Sequence, residues 1–195
     1  MSKLYFKYGA MNAGKSTIIL QTAYNYQERD MNVLLVKPGI DKKGDDKIVS
    51  RLGVERKVDI ILSENELLSN LIDFNQKIHA VIIDEAQFLS KEQVNDLYEI
   101  TKEKDVPILC YGLRCDFKME PFEGSARLLE LADEISELKT MCECGKKATQ
   151  NLRLINGIPV FDGSQVEIDN SNEIKYKSVC GKCYIRLRKK YSKKI

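Results

Sequence analysis

Eight consecutive residues, "GAMNAGKS" from Gly9 to Ser16, fit the pattern G-x-x-x-x-G-K-[ST]. An apolar run that reads as a strand precedes them and a helical pattern follows, which is the context the motif needs. Gly9 and Gly14 let the backbone curl, so that the N–H groups of Ala10, Met11, Asn12 and Ala13 face phosphate oxygens at a helix N-terminus. Lys15 is placed to reach the β- and γ-phosphates, and the Ser16 hydroxyl to ligate Mg²⁺. The bland alternative is a glycine-rich turn with a chance lysine, which the flanking strand and helix disfavour. Adenylate-kinase-like enzymes carry an extra glycine where this chain has Asn12. The stretch reads as a nucleoside triphosphate site.

Phosphate loops work with an acidic element at the end of a neighbouring strand, which holds the magnesium water shell. "AVIIDEAQFLS", residues 80 to 90, supplies it in Asp84. Glu85 follows, and along a strand its side chain points the other way, toward the crevice at the carboxyl edge of a parallel sheet. One carboxylate for metal and one for proton transfer suits phosphoryl transfer to an alcohol. An ATPase base that activates water uses the same letters, and the residues alone leave both open. Gln87 stands near substrate or nucleotide.

Six cysteines occur, and four form close pairs: Cys142 with Cys144, and Cys180 with Cys183. Four thiolates close a tetrahedral zinc site and leave no open position, so the metal is structural. Such a site holds a lobe too small for its own core. Cys110 and Cys115 read as packing residues. The single histidine, His79, opens a strand with no partner in sequence and reads as structural, which weakens any scheme built on a histidine base.

The elements that must position these groups follow from patterning. Apolar runs alternate with helical patterns through the first two-thirds, the mark of a parallel α/β architecture. Strands are expected at 3–8, 32–37, 58–62, 79–84, 106–112 and 134–139. Helices are expected from the phosphate loop to about Arg29, after Ser63 with a Ser63–Glu66 capping box, after Ser90 with a Ser90–Gln93 box, and over 124–132. Residues 38–57 read as a loop or hairpin. After Thr140 the sequence turns to Cys, Gly and turn residues. That predicts a nucleotide-binding domain over 1–140 and a zinc-binding lid with a basic tail over 141–195.

Tyr176 to Ile195 carries 8 basic residues and no acid, while the other 175 residues hold 23 bases against 29 acids. The acidic body argues against a broad nucleic-acid footprint, so no stable nucleic-acid partner is expected. No segment has the length and apolarity of a signal peptide or membrane span, so a cytoplasmic enzyme with no membrane partner is expected.

Taken in order, "GAMNAGKS", "DEAQF", "CYGLRCDF…PF", the paired cysteines and "YKSVC" resemble the type II thymidine kinases over nearly the whole chain. The short "CEC" pair is similar to a bacterial branch of that family. The resemblance implies a P-loop (RecA-like) parallel sheet with flanking helices plus a small zinc-binding lobe. It also implies transfer of the ATP γ-phosphate to the 5′-hydroxyl of thymidine, and of deoxyuridine, giving dTMP in nucleotide salvage.

Carried over by position, Lys15, Ser16 and Asp84 serve ATP and Mg²⁺, and Glu85 accepts the proton. The base lies in a slot made by Met11, Phe88, Leu113, Phe117, Phe122 and Tyr176, for which core packing is the bland alternative. A backbone lasso over Gln165, Val166, Glu167, Ile168 and Asp169 holds the base. A homotetramer and feedback inhibition by dTTP are implied as well. The chain departs from the family pattern twice: Asp169-Asn170-Ser171 stands where Gly-Gly is frequent, and Asp41-Lys42-Lys43 where Asp-x-Arg is frequent. Lysine lacks the bidentate fork of arginine.

Two other classes compete. A nucleic-acid-dependent ATPase would also carry "DEAQ" and a zinc ribbon, but its motor needs two such α/β bodies or a ring of them. A zinc-ribbon binding module leaves the phosphate loop unexplained.

Overall fold

The computed structural model describes residues 1–40, 46–165 and 174–192. Among these, the first two-thirds builds one parallel sheet. Its strands are β1 (Leu4–Gly9), β2 (Val33–Pro38), β5 (Ile60–Leu62), β6 (Ala80–Ile83), β7 (Ile108–Gly112) and β8 (Glu134–Leu138). Between β2 and β5 lies the antiparallel hairpin β3 (Lys47–Val49) and β4 (Glu55–Lys57). The helices are α1 (Lys15–Gln27), α2 (Lys91–Glu103) and α3 (Glu123–Leu131). The sheet order is β5-β2-β6-β7-β1-β8.

Alternation divides the apolar side chains between two faces, which makes three layers. On one face Phe6, Val81 and Ile83 pack with Leu97 and Ile100 of α2 and Leu128 of α3. On the other, Leu35 and Ile82 pack with Ile19, Leu20 and Ala23 of α1 and with Ile48 of the hairpin. All four residues of β6 are buried, as its unbroken apolar run requires when helices cover both faces.

The sheet order corrects one expectation. Asp84 follows β6, and β7 lies between β6 and β1, so the acidic strand is one removed from the phosphate-loop strand rather than its neighbour.

A second correction concerns 63–74, where no α-helix forms. Half of the expected capping box is present: Ser63 N–H donates to the Glu66 carboxylate at 3.1 Å. The carbonyls of Ser63 and Glu66 instead accept from Nε2 of Gln93 on α2, at 2.8 and 2.9 Å. The Ser69 N–H goes to Asp96 at 3.1 Å. A packed neighbour thus takes up backbone groups that a helix would have paired, and only a 3-10 turn over Leu68–Asn70 remains. The box at Ser90 and Gln93 forms in full and starts α2. His79 exchanges hydrogen bonds with the backbone of Asn32, as a structural histidine does.

Beyond β8 come β9 (Thr140–Met141), β10 (Lys147–Ala148), β11 (Gln150–Ile155), β12 (Ile158–Val160), β13 (Ile174–Val179) and α4 (Gly181–Tyr191). β9 and β10 pair, and β11 lies between β12 and β13, all antiparallel. The lobe's core is small: Ala148, Leu152, Leu154, Val179 and Tyr184 beside Cys142 and Cys180. Among the described residues, no helix is long and apolar enough to cross a membrane.

Candidate active site

The loop between β1 and α1 has the backbone its motif demands. Gly14 is left-handed at φ 78°, and Asn12, also left-handed at φ 66°, is a residue type that tolerates it. Gly9 is required for closeness: a Cβ there would lie 2.8 Å from both the Ala13 Cβ and the Leu138 carbonyl oxygen. Lys15 opens α1, and its Nζ donates to the Ala10 carbonyl at 3.3 Å.

Asp84 sits at the carboxyl end of β6, only 5% exposed, and its Oδ1 accepts the Glu85 N–H at 2.9 Å. Glu85 is not an extended strand residue, so strand alternation does not aim it. It is left-handed at φ 49°, ψ 37°, a conformation uncommon outside glycine, asparagine and aspartate. That turn directs Glu85 into a cavity of about 260 Å³ shared with Met11, Lys15, Ser16 and Leu113. The phosphate-loop residues Lys15 and Ser16 and the Glu85 carboxylate therefore line one space.

Gln87 holds this carboxylate. Its Nε2 donates to Glu85 Oε2 at 2.6 Å, and its Oε1 accepts the Leu113 N–H at 3.0 Å. Both ends of the buried amide are committed to protein. Gly112 permits the approach, since a Cβ there would lie 2.8 Å from that Oε1. Gln87 thus contacts the Glu85 carboxylate.

The six positions expected to wall the base divide among three places. Met11 and Leu113 line the cavity with Glu85. Phe88 and Phe122 meet edge to face, with centroids 5.6 Å apart, and line a second cavity of about 200 Å³ with Gln87 and Gln165. Phe117 is buried beneath the Arg153 guanidinium, 3.6 Å from its ring centroid, and Arg153 Nε donates to the Tyr176 hydroxyl at 3.0 Å. Arg153 also donates to the carbonyls of Ser164 and Gln165. The Gln165 side chain donates to Asp116 and to the Pro121 carbonyl, both at 3.3 Å. Val166 to Asp169, Asp169-Asn170-Ser171 and Asp41-Lys42-Lys43 lie outside the described residues.

Three contributors escaped the sequence reading. Arg153 is a fully buried cation on β11. Asn151, on the same strand, reaches the phosphate loop. Arg51, at the tip of the β3–β4 hairpin, lines the Glu85 cavity. Only Arg51 had a local signal. Ser50 and Gly53 mark a turn, and the flanking charges Lys47–Glu55, Arg56–Asp59 and Lys57–Asp46 pair with one another.

In the lobe, the sulfurs of Cys142, Cys144, Cys180 and Cys183 lie within 4.8 Å of one another, with Cys144 and Cys180 3.5 Å apart. Tetrahedral zinc with bonds of ~2.3 Å sets its sulfurs about 3.8 Å apart, so the set fits that ion. The thiols also set one another's ionisation. The Cys183 N–H holds the Cys180 thiol down at about 7. The Cys144 and Cys180 thiols beside Cys183 push it up to about 12. Four sulfurs this close cannot all become thiolates without a cation between them. Cys110 is wholly buried, and burial drives its thiol far up, so it is a packing residue.

The comparison that decides the family is with the family model described as thymidine kinase, which matches residues 2–184. The chain belongs to the thymidine kinase family. Curated relatives agree. The thymidine kinase of Pasteurella multocida (strain Pm70) is 47% identical over 184 residues, covering 92% of this chain and 95% of that one. That of Vibrio cholerae serotype O1 is 46% identical, over 94% of this chain and 97% of the other. A solved structure, the Pif1 helicase from Candida albicans, superposes with a TM-score of 0.42 at 14% identity. It covers 72% of this chain and 36% of that one, and carries no argument at that distance. The cavity that holds Glu85 and the phosphate-loop residues thus belongs to a chain of this kinase family.

Proposed function

We propose that the chain transfers the γ-phosphoryl group of ATP to the 5′-hydroxyl of thymidine, giving dTMP, with deoxyuridine as a second acceptor. The observation that carries this is the single cavity in which Lys15, Ser16 and Glu85 meet. Gly9 to Ser16 cradle the phosphates, and Ser16 and Asp84 hold Mg²⁺, which neutralises charge on the triphosphate. Glu85 accepts the hydroxyl proton, with Gln87 fixing the carboxylate. Met11, Phe88, Leu113, Phe117, Phe122 and Tyr176 form the surroundings of the base. Residues 1–140 are the nucleotide-binding domain and 141–195 the zinc-stabilised lid. The homotetramer, inhibition by dTTP and a cytoplasmic place in salvage belong to the same reading. Purified protein with Mg-ATP and thymidine should yield dTMP and ADP in equal amounts. ADP formed with single-stranded nucleic acid and no dTMP would reject the kinase.

Arg51 belongs to the same site. A phosphoryl group in transfer spreads charge over its equatorial oxygens, and a planar guanidinium matches them better than an ammonium does. The other cations of the hairpin are paired with acids, whereas Arg51 makes no hydrogen bond or ion pair among the described residues. The Thr17 hydroxyl of α1 meets the Ser50 hydroxyl at 3.0 Å, which anchors the hairpin tip over the phosphate loop. Arg51→Gln should lower kcat by about 10²-fold with a much smaller change in ATP affinity, and Arg51→Lys should recover only part of it. Unchanged kcat in Arg51→Gln would remove Arg51 from the site.

A further inference from the structure

Strand β11 carries Asn151 and Arg153 two residues apart, on the same side of the strand. Arg153 reaches Phe117 and Tyr176, as described above. Asn151, 5% exposed, reaches further. Its Oδ1 accepts the Met11 N–H of the phosphate loop at 2.8 Å, across 140 positions of sequence. Its Nδ2 donates to the Cys115 carbonyl at 3.0 Å, in the segment between Leu113 and Phe117. The partners themselves fix the amide's orientation, because an N–H needs the oxygen and a carbonyl needs the NH₂. One side chain of the cysteine lobe therefore clamps two separate parts of the site at once. Among the described residues, Thr140 Oγ1 also donates to the Asn12 carbonyl of the phosphate loop, at a longer 3.3 Å and exposed.

We propose that Asn151 is a positioning residue that couples the four-cysteine lobe to the nucleotide site. With the lobe ordered, the Met11 N–H is held by Asn151 and the loop keeps one shape. With the lobe disordered, Met11 loses its partner and the loop samples others. Metal in the cysteine cluster and nucleotide on the phosphate loop then bind cooperatively, and each raises the affinity of the other by the same factor. The coupling rests on the nucleotide role proposed for Gly9 to Ser16. It is a statement about how the two ends of the molecule communicate, not about the chemical step.

The test is calorimetric binding of ADP to the full-length chain, with zinc present and after a zinc-selective chelator. Wild type should lose about 5- to 30-fold in ADP affinity on chelation. Asn151→Leu, close to asparagine in size, should retain its zinc, bind ADP weakly from the outset, and lose less than about 2-fold more on chelation. Asn151→Asp keeps the acceptor for Met11 and loses the donor to Cys115. It should preserve the ADP coupling while raising the KM for thymidine. An equal chelation loss in wild type and Asn151→Leu overturns the proposal. Abolished coupling in Asn151→Asp does the same, and decides the matter if the leucine variant fails to fold. A wild type whose ADP affinity ignores chelation sinks the coupling alone. A wild type that binds no ADP sinks the nucleotide reading with it.

Discussion

Glu85→Gln is expected to lower kcat by about 10²-fold or more while ATP still binds. The substitution is nearly isosteric, and the new amide oxygen can still accept from Gln87 Nε2, as Glu85 Oε2 does at 2.6 Å. What disappears is the capacity to take a proton. Steady-state kinetics with thymidine, together with a nucleotide affinity measured separately, checks this, and near-normal turnover would reject Glu85 as the base. The backbone supports a functional reading of the position. A non-glycine residue held left-handed costs on the order of 1–2 kcal/mol, and here it falls at the carboxylate that shares a cavity with the phosphate loop. Asp84, buried and accepting the Glu85 N–H, fixes the turn from behind.

Removing a zinc ligand should have the second large effect. Wild type is expected to carry one zinc per chain and Cys180→Ser none, with loss of lobe order read by proteolysis and by circular dichroism. Few side chains form the lobe's own core, and Cys142 and Cys180 are two of the buried ones. Metal binding in small zinc domains contributes ~10–16 kcal/mol, far more than such a core supplies. Activity should fall with it, because Arg153, which stacks on Phe117 and holds the carbonyls of Ser164 and Gln165, belongs to the lobe. A variant lobe that stays fully ordered without zinc would show that packing alone sustains it.

Much of the candidate site was legible because its parts are local. The phosphate loop needs only a strand, two glycines and a helix start within a dozen residues, and Gly14 adopts the backbone its motif requires. The Ser90–Gln93 box is likewise a matter of four residues. The paired cysteines bring their own short-range geometry, and four thiols have little else to do but meet. The box at Ser63 looked the same in sequence and failed as a helix start. Gln93, about 30 positions away, took its carbonyls, and no local pattern announces that.

The amino-acid sequence by itself determined the α/β class, the phosphate loop, the carboxylate pair, the cysteine cluster and the family resemblance. Each is a repeat of burial or a short spacing that the backbone reads within a few residues. Only the tertiary structure decided that β7 separates the acidic strand from the phosphate loop. The left-handed turn that aims Glu85, the Gln87 clamp on it, and the Arg51 tip over the cavity were decided there too. So were the roles of Asn151 and Arg153, two positions of one strand of the lobe. Their partners lie up to 140 residues away, and the packing of the lobe against the phosphate loop, not spacing, brings the farthest within hydrogen-bonding distance.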